Sequence, residues 1–119
     1  MNRSTTDPLQ EAIRPITSLI SKSKKAQQKL TPGTWQHTML QENLRALHIA
    51  LTLMNRSTNG ADVPGREDLQ AALRAFAAMT NRGEKALAKF APGTSQYTLQ
   101  RNRLRAFRAA EALINAELK

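Results

Sequence analysis

Cysteine is absent from the 119 residues, which excludes a disulfide scaffold, a thiolate zinc site and a cysteine nucleophile together. Aromatic side chains are nearly as scarce: Trp35, Tyr97, Phe76, Phe90 and Phe107 make up 4% of the chain, so a core has to be mainly aliphatic. No uninterrupted apolar run approaches the ~20 residues a helix needs to cross a bilayer, and the stretch 1–7 is polar, so neither a membrane helix nor a signal peptide is expected. The expected location is cytoplasmic, with which the missing cysteines are compatible. The five glycines form no phosphate-cradling loop, and no Ser/His/Asp arrangement or nucleophile elbow is present. His37 and His48, the two histidines, are separated by ~16 Å along a helix axis. Neither has a second ligand at the three- or four-residue spacing of helical metal sites. These gaps lead us to expect no enzyme, no cofactor, no metal and no small-molecule substrate.

Acidic residues are also in short supply, 9 against 18 lysines and arginines, for a formal charge of +9. Such an excess speaks to partners and not to fold. It favours a phosphate-rich or otherwise acidic partner, since each neutralised phosphate releases condensed counterions whatever the base sequence.

What the chain does have is an internal repeat. Shifted by 60 positions on itself, 9–55 aligns with 69–115 without a gap. Eighteen of those 47 positions are identical, where chance gives about three. The strongest match pairs Lys29-Leu30-Thr31-Pro32-Gly33-Thr34 with Lys89-Phe90-Ala91-Pro92-Gly93-Thr94. Pro-Gly is a turn signal, and a threonine just after it can cap the next helix. Each copy therefore reads as helix, Pro-Gly turn, helix.

Hydrophobic spacing agrees. Leu69, Leu73, Phe76, Thr80, Gly83, Leu87 and Phe90 recur at alternating intervals of four and three, with Leu9, Ile13, Ile16, Ile20, Ser23, Gln27 and Leu30 as counterparts. Leu40, Leu44, Leu47, Leu51 and Met54 match Gln100, Leu104, Phe107, Glu111 and Ile114 in the same way. One buried stripe per helix is expected. Asp7 followed by Pro8 suits a helix start, whereas Pro15 either kinks that helix or marks a later start near Arg14. Asn59-Gly60 and Pro64-Gly65 mark 57–66 as a linker. The expected fold is all-α, a single domain over 1–119. It is an antiparallel four-helix bundle of two tandem hairpins, one over 1–56 and the other over 67–119.

Up-down-up-down order puts both Pro-Gly turns at one end of the molecule. The stretch 12–41 carries Arg14, Lys22, Lys24, Lys25 and Lys29 and no acid. The stretch 85–110 carries Lys85, Lys89, Arg101, Arg103, Arg105 and Arg108, again with no acid. Both straddle a turn. Asp7, Glu11, Asp62, Glu67, Asp68, Glu111 and Glu117 belong toward the other pole, with Glu42 and Glu84 as exceptions. Arg101, Arg105 and Arg108 share one helical ridge, and guanidinium groups can make paired hydrogen bonds to phosphate or carboxylate oxygens. Arg103 points toward the buried side, where an acid from a neighbouring helix would pair with it. The helix dipole alone accounts for lysines in a last turn, but it gives arginines early in a helix no benefit.

The candidate nucleic-acid-binding residues are therefore Lys22, Lys25, Lys29, Arg45, Lys85, Lys89, Arg101, Arg105 and Arg108. Trp35 and Tyr97, just past the turns, either stack on an exposed base or pack against the loop before them.

Without a helix-turn-helix, zinc or RNP signature, sequence-specific reading is not expected. The expected function is non-catalytic binding of an RNA or DNA backbone, with other protein subunits as further partners and no membrane. In size, charge and helical character the chain loosely resembles the small subunits of CRISPR effector complexes. That likeness of general architecture implies a place along a guide or target strand. The alternative expectation is a protein-interaction adaptor or assembly subunit docking on an acidic partner, because the polar stripe positions Ser23, Gln27, Gln100 and Glu111 leave room for a second chain to complete the packing.

Overall fold

The computed structural model of the protein describes residues 8–55 and 64–119. Four helices account for nearly all of them: α1 (Pro8–Gln28), α2 (Trp35–Asn55), α3 (Arg66–Leu87) and α4 (Ser95–Leu118). No strand occurs among the described residues. The expected N-cap Asp7 and the stretch 57–63 of the expected linker lie outside the described residues. Arg66, read as the last linker residue, is instead the first residue of α3.

Helix α1 starts at Pro8 and continues through Pro15, so Arg14 does not mark its start. Proline suits the first helical position because its missing donor has no intrahelical partner there. At Pro15 the same lack removes one backbone bond, which the rest of a 21-residue helix tolerates. Gly65 is the N-cap of α3, and its carbonyl accepts from the Leu69 N–H at 2.9 Å. No side chain caps this end, but Glu67 and Asp68 in the first turn complement the positive end of the dipole.

Every helix but one pair is in contact. α3 packs on α4, α1 on α2, α1 on α4, α2 on α3 and, less extensively, α2 on α4, whereas the described parts of α1 and α3 do not meet. This explains why the expected single stripe per helix is too narrow. α2 and α4 each face three neighbours, and besides the stripe they bury Ala46, Ile49, Ala50 and Leu53 on α2 and Ala106 and Ala110 on α4. On α1 and α3 the additions are Ala12, Ala72 and Met79. Alanine at these positions lets helix axes approach closely. The middle of each expected stripe stands in the core, with Ile16, Leu47, Phe76 and Ile114 the largest fully buried side chains, whereas Phe90 at the end of the α3 stripe is exposed. The Phe76 and Phe107 rings meet tilted, with centroids 5.8 Å apart, a favoured geometry for aromatic pairs.

The polar stripe positions are half-buried, and no polar or charged residue among those described is fully buried. All but Ser23 also find partners for their side chains among the described residues. Gln27 donates to Gln41 Oε1 at 3.4 Å, Gln100 to the Gly83 carbonyl at 3.4 Å and Thr80 to Glu111 Oε2 at 3.4 Å.

Candidate functional site

Both Pro-Gly turns are built from the same bonds. The Thr34 N–H donates to the Thr31 carbonyl at 3.2 Å, and the Thr94 N–H to the Ala91 carbonyl at 3.3 Å. Proline at the second position and a glycine with positive φ at the third, 94° at Gly33 and 93° at Gly93, give the pattern of a type II turn. A side-chained residue would be strained at either glycine. Thr34 Oγ1 then accepts from the His37 N–H at 3.3 Å, and Thr94 Oγ1 from the Tyr97 N–H at 3.2 Å. Each threonine thus caps the following helix while its hydroxyl donates back into the turn, at 2.8 Å to Thr31 and 2.7 Å to Ala91. The chain direction on leaving each turn is fixed by these contacts, and with it the placing of the first residues of α2 and α4.

The side chains of Lys22, Lys25, Lys29, Arg45, Lys85, Lys89, Arg101, Arg105 and Arg108 are all exposed. Lys22 and Lys25 stand on the last two turns of α1 and Lys29 just beyond it; Lys85 is in the last turn of α3 and Lys89 follows. Arg45 stands on α2 and the three arginines on α4. One of the three departs from the expected free ridge. Arg108 Nη2 lies 2.7 Å from Glu84 Oε2, because Glu84 on α3 faces the same side of the α3–α4 seam. Arg101 and Arg105 make no ion pair among the described residues.

Arg103 is half-buried, as its stripe-side position implies, but the expected acid from a neighbouring helix does not pair with it among the described residues. It lines two grooves instead. The larger, about 680 Å3, lies between α1 and α4, with Arg14, Arg103 and Arg105 on its walls together with Glu11, and with Ala12, Pro15, Ala106 and Ala109 among its lining. The smaller, about 280 Å3, is lined from all four helices, with Arg82 and Arg103 beside Ser23, Asn43 and Gln100 and no carboxylate. Arg14, Arg82 and Arg103 are not among the nine candidate binding residues. The grooves they line are built from more than one helix, which spacing within one helix does not report.

Of the two aromatics beside the turns, Tyr97 is half-buried. Trp35 is 69% exposed, so of the two alternatives left open for it, close packing against its loop is the one the structure does not favour. The first position of α2 points its indole away from the body of the molecule, and the capping threonine holds the backbone beneath it. Phe90 and Leu99 are also exposed, at 37% and 46%, so apolar surface is interspersed among the cations at the turn ends.

Among the acids, Glu11, Glu67 and Asp68 lie in the first turns of α1 and α3, away from the Pro-Gly turns; Asp7 and Asp62 lie outside the described residues. No three potential metal ligands converge among the described residues, and no described helix is long and apolar enough to cross a membrane. The chain matches no protein-family model, no curated protein and no solved structure.

Proposed function

We propose that the chain is a tandem duplication of one helical hairpin, folded as an antiparallel four-helix bundle, whose Pro-Gly end binds a nucleic-acid backbone without reading base sequence. The 60-residue repeat supports the duplication, as do the matched bonds of the two turns. The helix neighbours are unchanged when α1 is exchanged with α3 and α2 with α4, as a pseudo-twofold requires. Antiparallel packing of α3 and α4 is supported by the order of their contacts: Gly83 with Gln100, Thr80 with Glu111 and Arg66 with Leu118.

The smaller groove supports turns at a common end. Ser23, Asn43, Gly83 and Arg103 each lie ten residues from the glycine of their own turn, and Leu19, Leu47, Met79 and Phe107 each lie fourteen. All eight line one groove. Residues at equal depth from two turns meet most simply when both turns face the same way.

The observation that carries the functional reading is the pair of acid-free stretches, 12–41 and 85–110, whose cations other than Arg103 are exposed, before the first turn and on both sides of the second. In such a field a polyanion gains affinity by releasing counterions, with lysines acting as point charges and Arg101 and Arg105 as two-pronged donors. Nothing in that mechanism reads base edges. A backbone-binding subunit of a ribonucleoprotein assembly is the role this surface suits. Oligonucleotides of equal length and unrelated base order should bind with affinities within a few-fold of one another. Replacing Arg101 and Arg105 with glutamine should weaken both by roughly ten-fold without altering the helical circular dichroism. No binding at low salt would overturn the reading.

A second reading, an adaptor for an acidic protein, has its own support in the α1–α4 groove. Ala109 and Leu99 stand there at the positions that Ile49 and Met39 hold in the first copy, and Ile49 is buried. The smaller alanine leaves space that isoleucine fills in its counterpart, and three arginines flank it. A synthetic acidic amphipathic helix that bound tightly while oligonucleotides did not would favour this reading.

A further inference from the structure

We infer that the basic pole selects single-stranded over double-stranded nucleic acid, and that Trp35 is the residue that makes the selection by stacking on an unpaired base. The inference rests on the backbone-binding reading above and adds to it a substrate class. Its starting point is an indole ring 69% exposed in a chain with one tryptophan and only five aromatic residues in all.

Three features give the ring a recognition geometry. Its backbone follows directly on Thr34, which the Pro32-Gly33 turn and the hydroxyl bonds to Thr31 and His37 hold in place, so a stacked base would meet a platform already oriented. Its surroundings along the chain contain no carboxylate from residue 12 to residue 41, while Lys29 precedes it across the turn and is exposed. A strand held there keeps its phosphates near positive charge while a base lies on the ring. The equivalent position in the second copy is Ser95, so the platform belongs to the first turn and the stronger arginine surface to α4. The two turns would then divide the work, one holding a base and the other the backbone beyond it.

Strand choice follows from what each nucleic acid offers. Every unpaired base has an open π-face, so stacking on an aromatic ring tolerates any base identity. A duplex keeps those faces inside its own stack and presents only phosphates and groove edges. Cations alone bind both forms. An exposed indole adds affinity only for the strand whose bases are free.

The single tryptophan makes the test direct. Its emission is followed as the protein is titrated with a 15-nucleotide single strand and, separately, with the duplex of the same sequence. The expected result is saturable quenching with the single strand, little change with the duplex, and a single-strand affinity higher by roughly ten-fold. Read by the anisotropy of end-labelled oligonucleotides, because neither variant retains a tryptophan, W35A should remove that preference while leaving duplex affinity and its salt response unchanged, and W35F should restore part of it. Binding of both forms with equal affinity and unperturbed emission would overturn the inference and leave the backbone reading standing. Binding of neither would overturn both. Quenching by polyglutamate that equals quenching by the single strand would assign the ring to an acidic protein partner instead. A change from dimer to monomer in W35A by light scattering would assign it to self-association, and either outcome overturns the inference.

Discussion

Replacing Gly83 with alanine sets two effects of opposite sign against each other. In an open helix interior the change stabilises by about 1 kcal/mol, because alanine loses less backbone freedom on folding. Gly83 is buried, however, and a Cβ there would lie 2.9 Å from Leu104 Cδ2 and 3.0 Å from Gln100 Nε2. The Gln100 amide can withdraw by giving up its 3.4 Å bond to the Gly83 carbonyl. Leu104 has less choice, being 2% exposed in an interior packed as densely as an organic crystal. Overfilling of this kind costs about 1–3 kcal/mol, so the clash outweighs the propensity gain and G83A is destabilised by about 1 kcal/mol. For a domain of this size that lowers the melting temperature by about 4 °C. Asn81 is exposed on the same helix, and N81A brings the propensity gain with no clash, so its melting temperature should rise. Thermal unfolding followed by circular dichroism reads both. A G83A protein that melted above the parent would mean that α3 and α4 are not held as close as the Gly83 contact implies.

Removing the caps should act locally: T34A and T94A each lose a hydroxyl that caps a helix and ties its turn, costing about 1 kcal/mol apiece in denaturant unfolding, and the two losses should add because the turns share no bond. Neutralising Glu84 separates stability from binding. The Arg108–Glu84 pair is more than half exposed on both sides, so E84Q should change stability by less than about 1 kcal/mol. The same variant should bind an oligonucleotide several-fold more tightly at low salt, with the gain disappearing at high salt; unchanged low-salt affinity would remove Arg108 from the interface.

The helices were legible in the sequence because turn chemistry and hydrophobic spacing are local signals. Pro32-Gly33-Thr34 and Pro92-Gly93-Thr94 determine their own φ values and caps, and the three-four spacing of residues such as Ile16, Ile20, Phe76 and Leu104 marks a buried face without reference to any partner. What the spacing did not convey was the width of that face. Ala46, Ala50, Ala106 and Ala110 look indifferent in a hydropathy pattern, yet they are buried because α2 and α4 each meet three helices. The candidate site was legible as a charge distribution and less so as a surface. The lysines are exposed where a last-turn position puts them, but the Arg108–Glu84 contact joins residues 24 apart, and the groove that Arg82 and Arg103 line is built from all four helices. Trp35 shows the same limit from the other side. Its position beside a turn suits packing and exposure equally well, and only the neighbours the fold supplies, or fails to supply, decide between them.

The claim that a cationic pole grips a polyanion through its phosphates is tested most directly by how the association constant for a single-stranded oligonucleotide varies with salt. Eight of the nine candidate cations are exposed with no ion pair among the described residues; engagement of about half of them would give a slope of log K against log salt of roughly −3. A slope of that size, made shallower by about one when Arg101 and Arg105 are both glutamine, is the predicted result. An association constant that holds steady from 50 to 300 mM salt would contradict it.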